Sequence, residues 1–266
     1  MLDKYISLQK KLRLQLLELY YSVNAGHIGC SLSCIDLLIS ILLFKKKEQD
    51  TFILSKGHAA AALYTCLHHL GKISDTDIKT FYQDGTKLPA HPSANHFNDI
   101  PFALGSLGHG FPIGVGIAKA DKLLRKNNFT YVLMSDGETN EGTTWEAAHF
   151  AVQHKLDNLI IIIDKNRIQG FGSLIDILGD TADEQKWKTM NFDVVSIDGH
   201  SIPEIIQSIE KLQTMDNGRP KVIIANTIKG KGVSYMENTM EWHYLPISLE
   251  LYQRAISDIK KWGLTR

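Results

Sequence analysis

The chain has few cysteines and no excess of charge of either sign. Its three cysteines, Cys30, Cys34 and Cys66, form neither an even set nor a CxxC motif. This usage indicates reduced, buried thiols and a cytoplasmic location, because oxidising compartments favour paired cysteines. The 29 basic residues balance the 29 acidic residues, so the composition predicts no nucleic-acid partner.

Targeting signals and long apolar segments are also missing from the sequence pattern. Met1 leads into a charged amphipathic stretch rather than a signal peptide. The longest apolar candidate, residues 35–44, is short and includes Asp36, so we expect no membrane partner. No repeat or low-complexity tract divides the 266 residues, and we therefore predict one large domain over residues 1–266.

Hydrophobic periodicity divides the chain into a mostly helical first part and an alternating second part. Before residue 130 the apolar residues follow helical spacing, apart from one short strand. Ser33, in this first part, and Ser248, near the C-terminus, are expected to be N-caps of helices. After residue 130, apolar strands alternate with helices, which predicts an α/β fold: a mostly parallel sheet with helices on both faces, in three layers. We predict helices at residues 3–23, 34–44, 59–70, 75–82, 113–126, 180–190, 202–215 and 249–262, and strands at 51–54, 131–134, 159–163, 192–197 and 221–228.

The stretch at residues 83–112 shows no periodicity. A loop of this length inside a compact domain is usually functional, and its glycines and histidines favour that interpretation. The turn at residues 105–110 precedes a predicted helix, so backbone N–H groups near the start of that helix could meet an anion.

Two oxygen-bearing side chains follow neighbouring predicted strands. Asp136 comes after the strand at 131–134, and Asn166 comes after the strand at 159–163. The carboxyl ends of parallel strands meet at one edge of a sheet, where ligands bind in open α/β folds. One carboxylate, one amide oxygen and nearby carbonyls suit Mg²⁺ or Ca²⁺ clamping a phosphate, and Gly137 allows a close approach of a diphosphate to the backbone.

Taken together, the motifs resemble the transketolase family over nearly the whole chain. The resemblance is specifically to the N-terminal, thiamine diphosphate-binding subunit of a split transketolase. The Asp-Gly to Asn spacing is shared by thiamine diphosphate enzymes in general, whereas the histidine-bearing motifs are more specific to transketolases. The matching motifs are Gly26-His27-Ile28-Gly29, Leu54-Ser55-Lys56-Gly57-His58-Ala59, His91-Pro92, Gly105-Ser106-Leu107-Gly108, Asp136-Gly137-Glu138 with Glu141-Gly142, Asp164-Lys165-Asn166-Arg167-Ile168, Thr227-Ile228-Lys229-Gly230 and Trp242-His243.

The resemblance implies a role for each matched residue. Asp136, Asn166 and the carbonyl of Ile168 would hold Mg²⁺, Ca²⁺ or Mn²⁺ on the diphosphate. His27 and His91 would face the donor sugar, and with His58 and His243 they form the candidate catalytic set, because proton transfer near neutral pH suits histidine. The remaining residues implied to bind or adjoin thiamine diphosphate are His58, Gly105, Ser106, Leu107, Gly137, Glu138, Glu141, Asn166, Lys229 and His243.

The resemblance also implies partners. The chain would act with a C-terminal transketolase subunit that carries a pyrimidine-binding domain and a C-terminal domain, as two plus two chains, on sugars or sugar phosphates. Alternatives are acyl transfer from pyruvate to a sugar, 2-oxo-acid decarboxylation or dehydrogenation, and a non-catalytic scaffold. Departures from the family pattern at Ser93, His109 and Tyr244 leave the substrate open, whereas Ser135 is a small change beside Asp136.

Overall fold

A computed structural model describes residues 2–263, and its centre is a sheet of five parallel strands. The strand order is β1-β2-β3-β7-β6, so the chain crosses over the sheet between non-consecutive neighbours. A separate two-stranded antiparallel hairpin is formed by β4 and β5. The strands are β1 (Thr51–Leu54), β2 (Thr130–Ser135), β3 (Leu159–Lys165), β4 (Ile168–Gln169), β5 (Gly172–Ser173), β6 (Asp193–Asp198) and β7 (Lys221–Asn226).

The central strand β3 is apolar on both faces, because helices cover the sheet on both sides. Ile160 and Ile162 belong to one hydrophobic cluster, whereas Ile161 and Ile163 belong to a second cluster on the opposite face. This alternation is the side-chain period of a strand, and it confirms the predicted three-layer α/β fold.

Ten α-helices surround this sheet in the described residues. Among the helices, α1, α2, α3, α4, α9 and α10 contribute buried residues to the first cluster, and α5, α6, α7 and α8 contribute them to the second. Their bounds are α1 (Leu2–Ser22), α2 (Ile28–Leu38), α3 (Ala60–His69), α4 (Asp75–Ile78), α5 (Gly110–Leu123), α6 (Gly142–Gln153), α7 (Leu174–Leu178), α8 (Glu184–Thr189), α9 (Ile202–Gln213) and α10 (Leu249–Lys261).

The start of α2 differs from the prediction. The helix begins at Ile28 rather than at residue 34, so Ser33 is an interior residue and not an N-cap. Its hydroxyl lies 2.6 Å from the Asp164 carboxylate and 2.9 Å from the Cys30 carbonyl as a donor, whereas an N-cap hydroxyl would accept from a backbone N–H. The helix continues as a π-helix over Ile39–Lys45, so that residues 28–45 form one continuous helical run.

This continuous run also corrects the expectation about apolar segments. Ile28–Lys45 comprises 18 residues with a mean hydropathy of 1.9, which is long and apolar enough to cross a membrane. In the structure 78% of the segment is buried inside the protein, as in the core helix of a globular domain. The length was underestimated because the motif Gly26-His27-Ile28-Gly29 has the composition of a loop, although the helix starts inside it.

Other boundaries follow from local capping. Ser248 caps α10 as predicted, since its side chain accepts a hydrogen bond from the N–H of Leu251. The helix predicted at 180–190 begins only at Glu184, because the carboxylate of Asp183 accepts from the N–H groups of Gln185 and Lys186. The helix predicted at 75–82 ends at Ile78. The β4–β5 hairpin and α7 were not predicted, because two-residue strands carry too little periodicity.

Helix α5 lies close to the sheet at Gly114. A Cβ added to Gly114 would lie 2.5 Å from Cγ2 of Val132 in β2, whereas a Cβ at Gly116 of the same helix would meet nothing within 4 Å. We therefore expect Gly114→Ala to lower the free energy of unfolding by about 1–3 kcal/mol through overpacking. Gly116→Ala is the matched control and should be neutral or raise stability by up to about 1 kcal/mol, because alanine favours helix. Denaturant unfolding would show this, and equal effects of the two substitutions would contradict the close packing.

Candidate active site

Asp136 and Asn166 lie at the same edge of the sheet, as their positions after neighbouring strands predict. Ser135, the last residue of β2, pairs with Asp164 near the end of β3. The Asp136 carboxylate is 1% exposed and accepts hydrogen bonds from the N–H groups of Gly137 (2.8 Å) and Arg167 (2.5 Å). Oδ1 of Asn166 accepts from the N–H of Ile168 at 3.1 Å. These bonds fix the orientation of both side chains.

The electrostatics of Asp136 fit a bound cation. Burial, and then the negative charge of Asp164, raise the pKa of Asp136 to about 6. A divalent cation would offset the free-energy cost of holding the Asp136 carboxylate in its charged form. The described residues hold no group of three His, Cys, Asp or Glu side chains suited to a metal, so any ligand set here depends on amide and carbonyl oxygens beside a single carboxylate. Asp136, Asn166 and the Ile168 carbonyl form such a set of hard oxygens, which suits Mg²⁺ or Ca²⁺ with water completing the shell.

Four histidines from four separate segments meet beside this edge. The ring centroid of His27 lies 5.1 Å from that of His243, 5.8 Å from that of His58 and 6.1 Å from that of His91. His27 precedes α2 in a left-handed conformation with φ of 73°, and its N–H donates to the carbonyl of His243 at 3.1 Å. A left-handed histidine is strained, and strain of this kind is usually kept where function requires it.

All four imidazoles are held in their neutral form. Burial, followed by the charge of Lys56, sets the pKa of His58 well below its usual value. Burial and the nearby Lys229 lower the pKa of His243 to about 3, and burial lowers the pKa of His27 and of His91. Near pH 7 these side chains are therefore unprotonated, and each presents a ring nitrogen that is able to accept a hydrogen bond.

The depressed pKa of His243 predicts a pH dependence of stability. A histidine that stays neutral in the folded state favours folding above the unfolded pKa of about 6.5, and this contribution is lost as pH falls towards the folded pKa of about 3. Between pH 7 and pH 5 we expect the wild type to lose about 1 kcal/mol more unfolding free energy than His243→Gln, after allowance for partial solvent screening. Denaturant titrations at both pH values measure this, with the exposed His149→Gln as the control. Parallel losses in wild type and His243→Gln would contradict it.

A cavity of about 280 Å³ joins the two groups of residues. The four histidines open into it, together with Asp136, Asn166, Gly137, Gly105, Leu107 and Ile168. The structure thus brings together ten of the residues that the sequence predicted for the site. Six further lining residues were given no role by the motifs: Cys30, Ser135, Gln169, Gly170, Phe171 and Tyr244.

Four predicted residues lie outside the cavity wall. Lys229 is buried behind it, where Nζ is 2.9 Å from Nδ1 of His243 and donates to the Ile168 carbonyl at 3.0 Å. Ser106 and Glu141 are exposed beside the cavity. Glu138 is fully buried, and its carboxylate accepts from the N–H groups of Ser135 (2.8 Å) and Gly108 (3.0 Å) and from the Ser55 hydroxyl. In the structure Glu138 therefore holds the glycine loop in place, because both of its oxygens are occupied by protein donors.

A buried ion pair beneath the cavity was missed by the sequence analysis. Lys56 and Asp164 are both fully buried and form a salt bridge. Lys56 also donates to the carbonyl of Cys30 at 3.1 Å, while Asp164 accepts from the hydroxyls of Ser33 and Thr227. The signal available in the sequence was a charge at the end of each of two otherwise apolar strands.

The edge of the sheet combines an oxygen-ligand cation site, a glycine-lined wall and neutral bases. This is the class of site that a metal-diphosphate cofactor with proton-transfer chemistry requires. The family profile described as "Transketolase, thiamine diphosphate binding domain" matches residues 7–263. The motif resemblance is thus confirmed.

Similar proteins include components of split enzymes. The chain is 36% identical to an apulose-4-phosphate transketolase subunit of Phocaeicola vulgatus, over 95% of this chain and 92% of that protein. It is 34% identical to a 6-deoxy-6-sulfo-D-fructose transketolase subunit of Clostridium sp., over 99% of this chain and the whole of that protein.

Solved transketolases share the fold but are longer. The transketolase of Leishmania mexicana superposes with a TM-score of 0.88 at 25% identity, over 96% of this chain and 41% of that one. The transketolase of Campylobacter jejuni superposes with a TM-score of 0.85 at 31% identity, over 97% of this chain and 43% of that one. The chain therefore spans about two-fifths of the solved enzymes it matches. It belongs to the transketolase family and corresponds to the N-terminal, thiamine diphosphate-binding subunit of a split transketolase.

Proposed function

We propose that this subunit binds the diphosphate end of thiamine diphosphate and, with a second chain, transfers a two-carbon ketol unit between sugars or sugar phosphates. The observation that carries the proposal is the convergence of the Asp136 and Asn166 oxygens with four neutral histidines on one cavity. A scaffold without chemistry would have no need of a half-buried histidine cluster, with His27 in a left-handed conformation, beside a buried carboxylate.

The proposed metal is Mg²⁺, with Ca²⁺ or Mn²⁺ as substitutes. Asp136, Asn166 and the Ile168 carbonyl would hold it, and Gly105, Leu107 and Gly137 would let the diphosphate approach the backbone. The bound cofactor supplies the carbon nucleophile that takes up the two-carbon unit. The chain itself supplies position, charge neutralisation and bases.

The histidines are proposed to move protons on the sugar. Cleavage of a ketose between C2 and C3 requires loss of a proton from the C3 hydroxyl, and a neutral imidazole in the cavity is able to accept it. His27 and His91 are assigned to the donor sugar, with His58 and His243 on the cofactor side. Each group that acts as an acid or base would contribute about 10²–10⁴-fold to the rate.

The proposed partner is a C-terminal transketolase subunit with a pyrimidine-binding domain, in an assembly of two plus two chains. Relatives of matching length that are named as transketolase subunits, and the greater length of the solved enzymes, support a separate partner chain. Relatives act, by name, on apulose 4-phosphate and on a sulfosugar, which supports a specialised sugar as substrate. We also propose a cytoplasmic location and one folding unit over residues 1–266.

The proposal is tested by reconstituting the two chains. Calorimetric titration with thiamine diphosphate at saturating Mg²⁺ should show binding, and a donor screen should show turnover of ketose phosphates. Release of CO₂ from pyruvate without turnover of any ketose would overturn ketol transfer and indicate another thiamine diphosphate reaction. Binding without turnover of either donor class would indicate a non-catalytic role.

A further inference from the structure

The side chain of Gln169 carries a buried donor that the protein does not use. Its Nε2 has no hydrogen-bond partner among residues 2–263. An unpaired buried polar group costs about 1–3 kcal/mol, so it requires an explanation. Of the buried side-chain atoms without a partner in that part of the chain, this is the one whose residue lines the active-site cavity.

The position of Gln169 is fixed by the hairpin that follows Asn166. Gln169 lies in β4 and pairs with Gly172 of β5. Its side chain lies over Gly137, since a Cβ added to Gly137 would be 3.2 Å from Cδ and 3.4 Å from Oε1 of Gln169. Gly137 follows Asp136, and Gln169 follows Ile168, so the Gln169 side chain lines the same cavity as two of the residues assigned to the metal.

The chemistry of the amide nitrogen decides what it is able to bind. An N–H₂ group donates hydrogen bonds and does not ligate a cation, so its partner must be an acceptor. Asp136, the carboxylate that lines the same cavity, already accepts from the N–H groups of Gly137 and Arg167 and is assigned to the proposed metal. A bound ligand would supply the acceptor that the described residues do not, and in a cavity that takes a metal diphosphate this acceptor is a phosphate oxygen.

We propose that Gln169 is a ligand of the cofactor diphosphate, with Nε2 donating to a phosphate oxygen next to the metal. The residue lies outside the motifs that mark the site, and it adds a side-chain donor beside the backbone of Gly137, which is assigned to the diphosphate. This inference rests on the proposed function, because it assumes that the cavity takes a metal diphosphate.

The test uses the reconstituted two-chain enzyme and the variant Gln169→Met, which keeps the length of the side chain and removes the donor. Dissociation constants are measured at saturating Mg²⁺ for thiamine diphosphate and for magnesium pyrophosphate, which carries the diphosphate alone. We expect both to weaken by the same factor, about ten- to a hundred-fold, as for a lost hydrogen bond to a charged group. The thermal stability of the cofactor-free variant should stay equal or rise, since an unpaired buried donor is removed.

A second variant separates donation to the phosphate from ligation of the metal by Oε1. Gln169→Glu places a negative charge against the diphosphate, and we expect it to weaken thiamine diphosphate binding more than Gln169→Met does. Tighter Mg²⁺ binding with unchanged cofactor affinity in Gln169→Glu would overturn the proposal in favour of a metal ligand. The proposal would also be overturned if Gln169→Met bound thiamine diphosphate with wild-type affinity. The same holds if the variant bound thiamine diphosphate more weakly but magnesium pyrophosphate with unchanged affinity. Failure of the wild type to bind thiamine diphosphate would instead refute the proposed function.

Discussion

Replacing Asp136 with alanine should abolish cofactor-dependent activity of the reconstituted enzyme at limiting Mg²⁺. Asp136 is the one carboxylate in the assigned oxygen set, and its burial makes it a strong site for a cation once deprotonated. Changes to residues that only support a metal ligand already cost about 10–100-fold in affinity or activity, so loss of the charged ligand itself should cost at least that much. The measurements are the Mg²⁺ concentration for half-maximal activity and the cofactor dissociation constant.

The control for Asp136→Ala is Asp84→Ala, because Asp84 lies in an exposed turn far from the strand ends in sequence. Asp136→Asn adds a second comparison, since it keeps an oxygen but removes the charge and should fall between wild type and alanine. Cofactor affinity should also fall as pH drops below about 6, where the Asp136 carboxylate takes up a proton. Full activity of Asp136→Ala at limiting Mg²⁺ would refute the metal assignment.

The core elements of the fold could be predicted from the sequence, because buried strands and helices space their apolar residues regularly along the chain. Strand β3 begins with the run of apolar residues that a sheet covered on both faces requires, and the end of that run before Asp164 placed Asn166 at the correct edge. The amphipathic pattern of α9 and the Ser248 cap of α10 were equally local signals. The β4–β5 hairpin gave no such signal, although it positions Gln169 and Ile168 at the cavity.

The residues of the site also divide into those that the sequence indicated and those whose environment it did not indicate. His27, His58, His91 and His243 were identifiable because they lie in motifs that resemble those of transketolases, and the structure brings the rings of the other three within about 6 Å of the His27 ring. The environment of Glu138 was not identifiable, because its partners come from residues 55 and 108. The hydrogen bonds that decide whether a carboxylate faces a ligand or a loop join residues distant in sequence, so sequence pattern does not reveal them.

The Lys56–Asp164 pair should be costly to break, because both of its charges are fully buried. Burial opposes both charges, yet the Asp164 carboxylate raises the pKa of Lys56, and Lys56 lowers the pKa of Asp164, so both stay ionised. Lys56→Met leaves Asp164 as an unpaired buried charge, and we expect the free energy of unfolding to fall by about 3–5 kcal/mol. Denaturant unfolding followed by fluorescence would measure this, with the fully buried Trp187 as a sensitive probe.

Two comparison variants show whether the unpaired charge causes that loss. Lys188→Met breaks the exposed pair with Glu184 and should cost less than about 1 kcal/mol. The double variant Lys56→Met/Asp164→Asn removes both charges and should recover part of the stability, because no buried ion remains. If Lys56→Met lowers the free energy of unfolding no more than Lys188→Met does, the Lys56–Asp164 pair does not stabilise the core. Lys56 donates to the Cys30 carbonyl, and Asp164 accepts from the hydroxyls of Ser33 and Thr227. Cys30, Asp164 and Thr227 lie within three residues of His27, Asn166 and Lys229 in the sequence. A loss of about 3–5 kcal/mol would therefore mean that the same ion pair stabilises the core and the segments that carry these site residues.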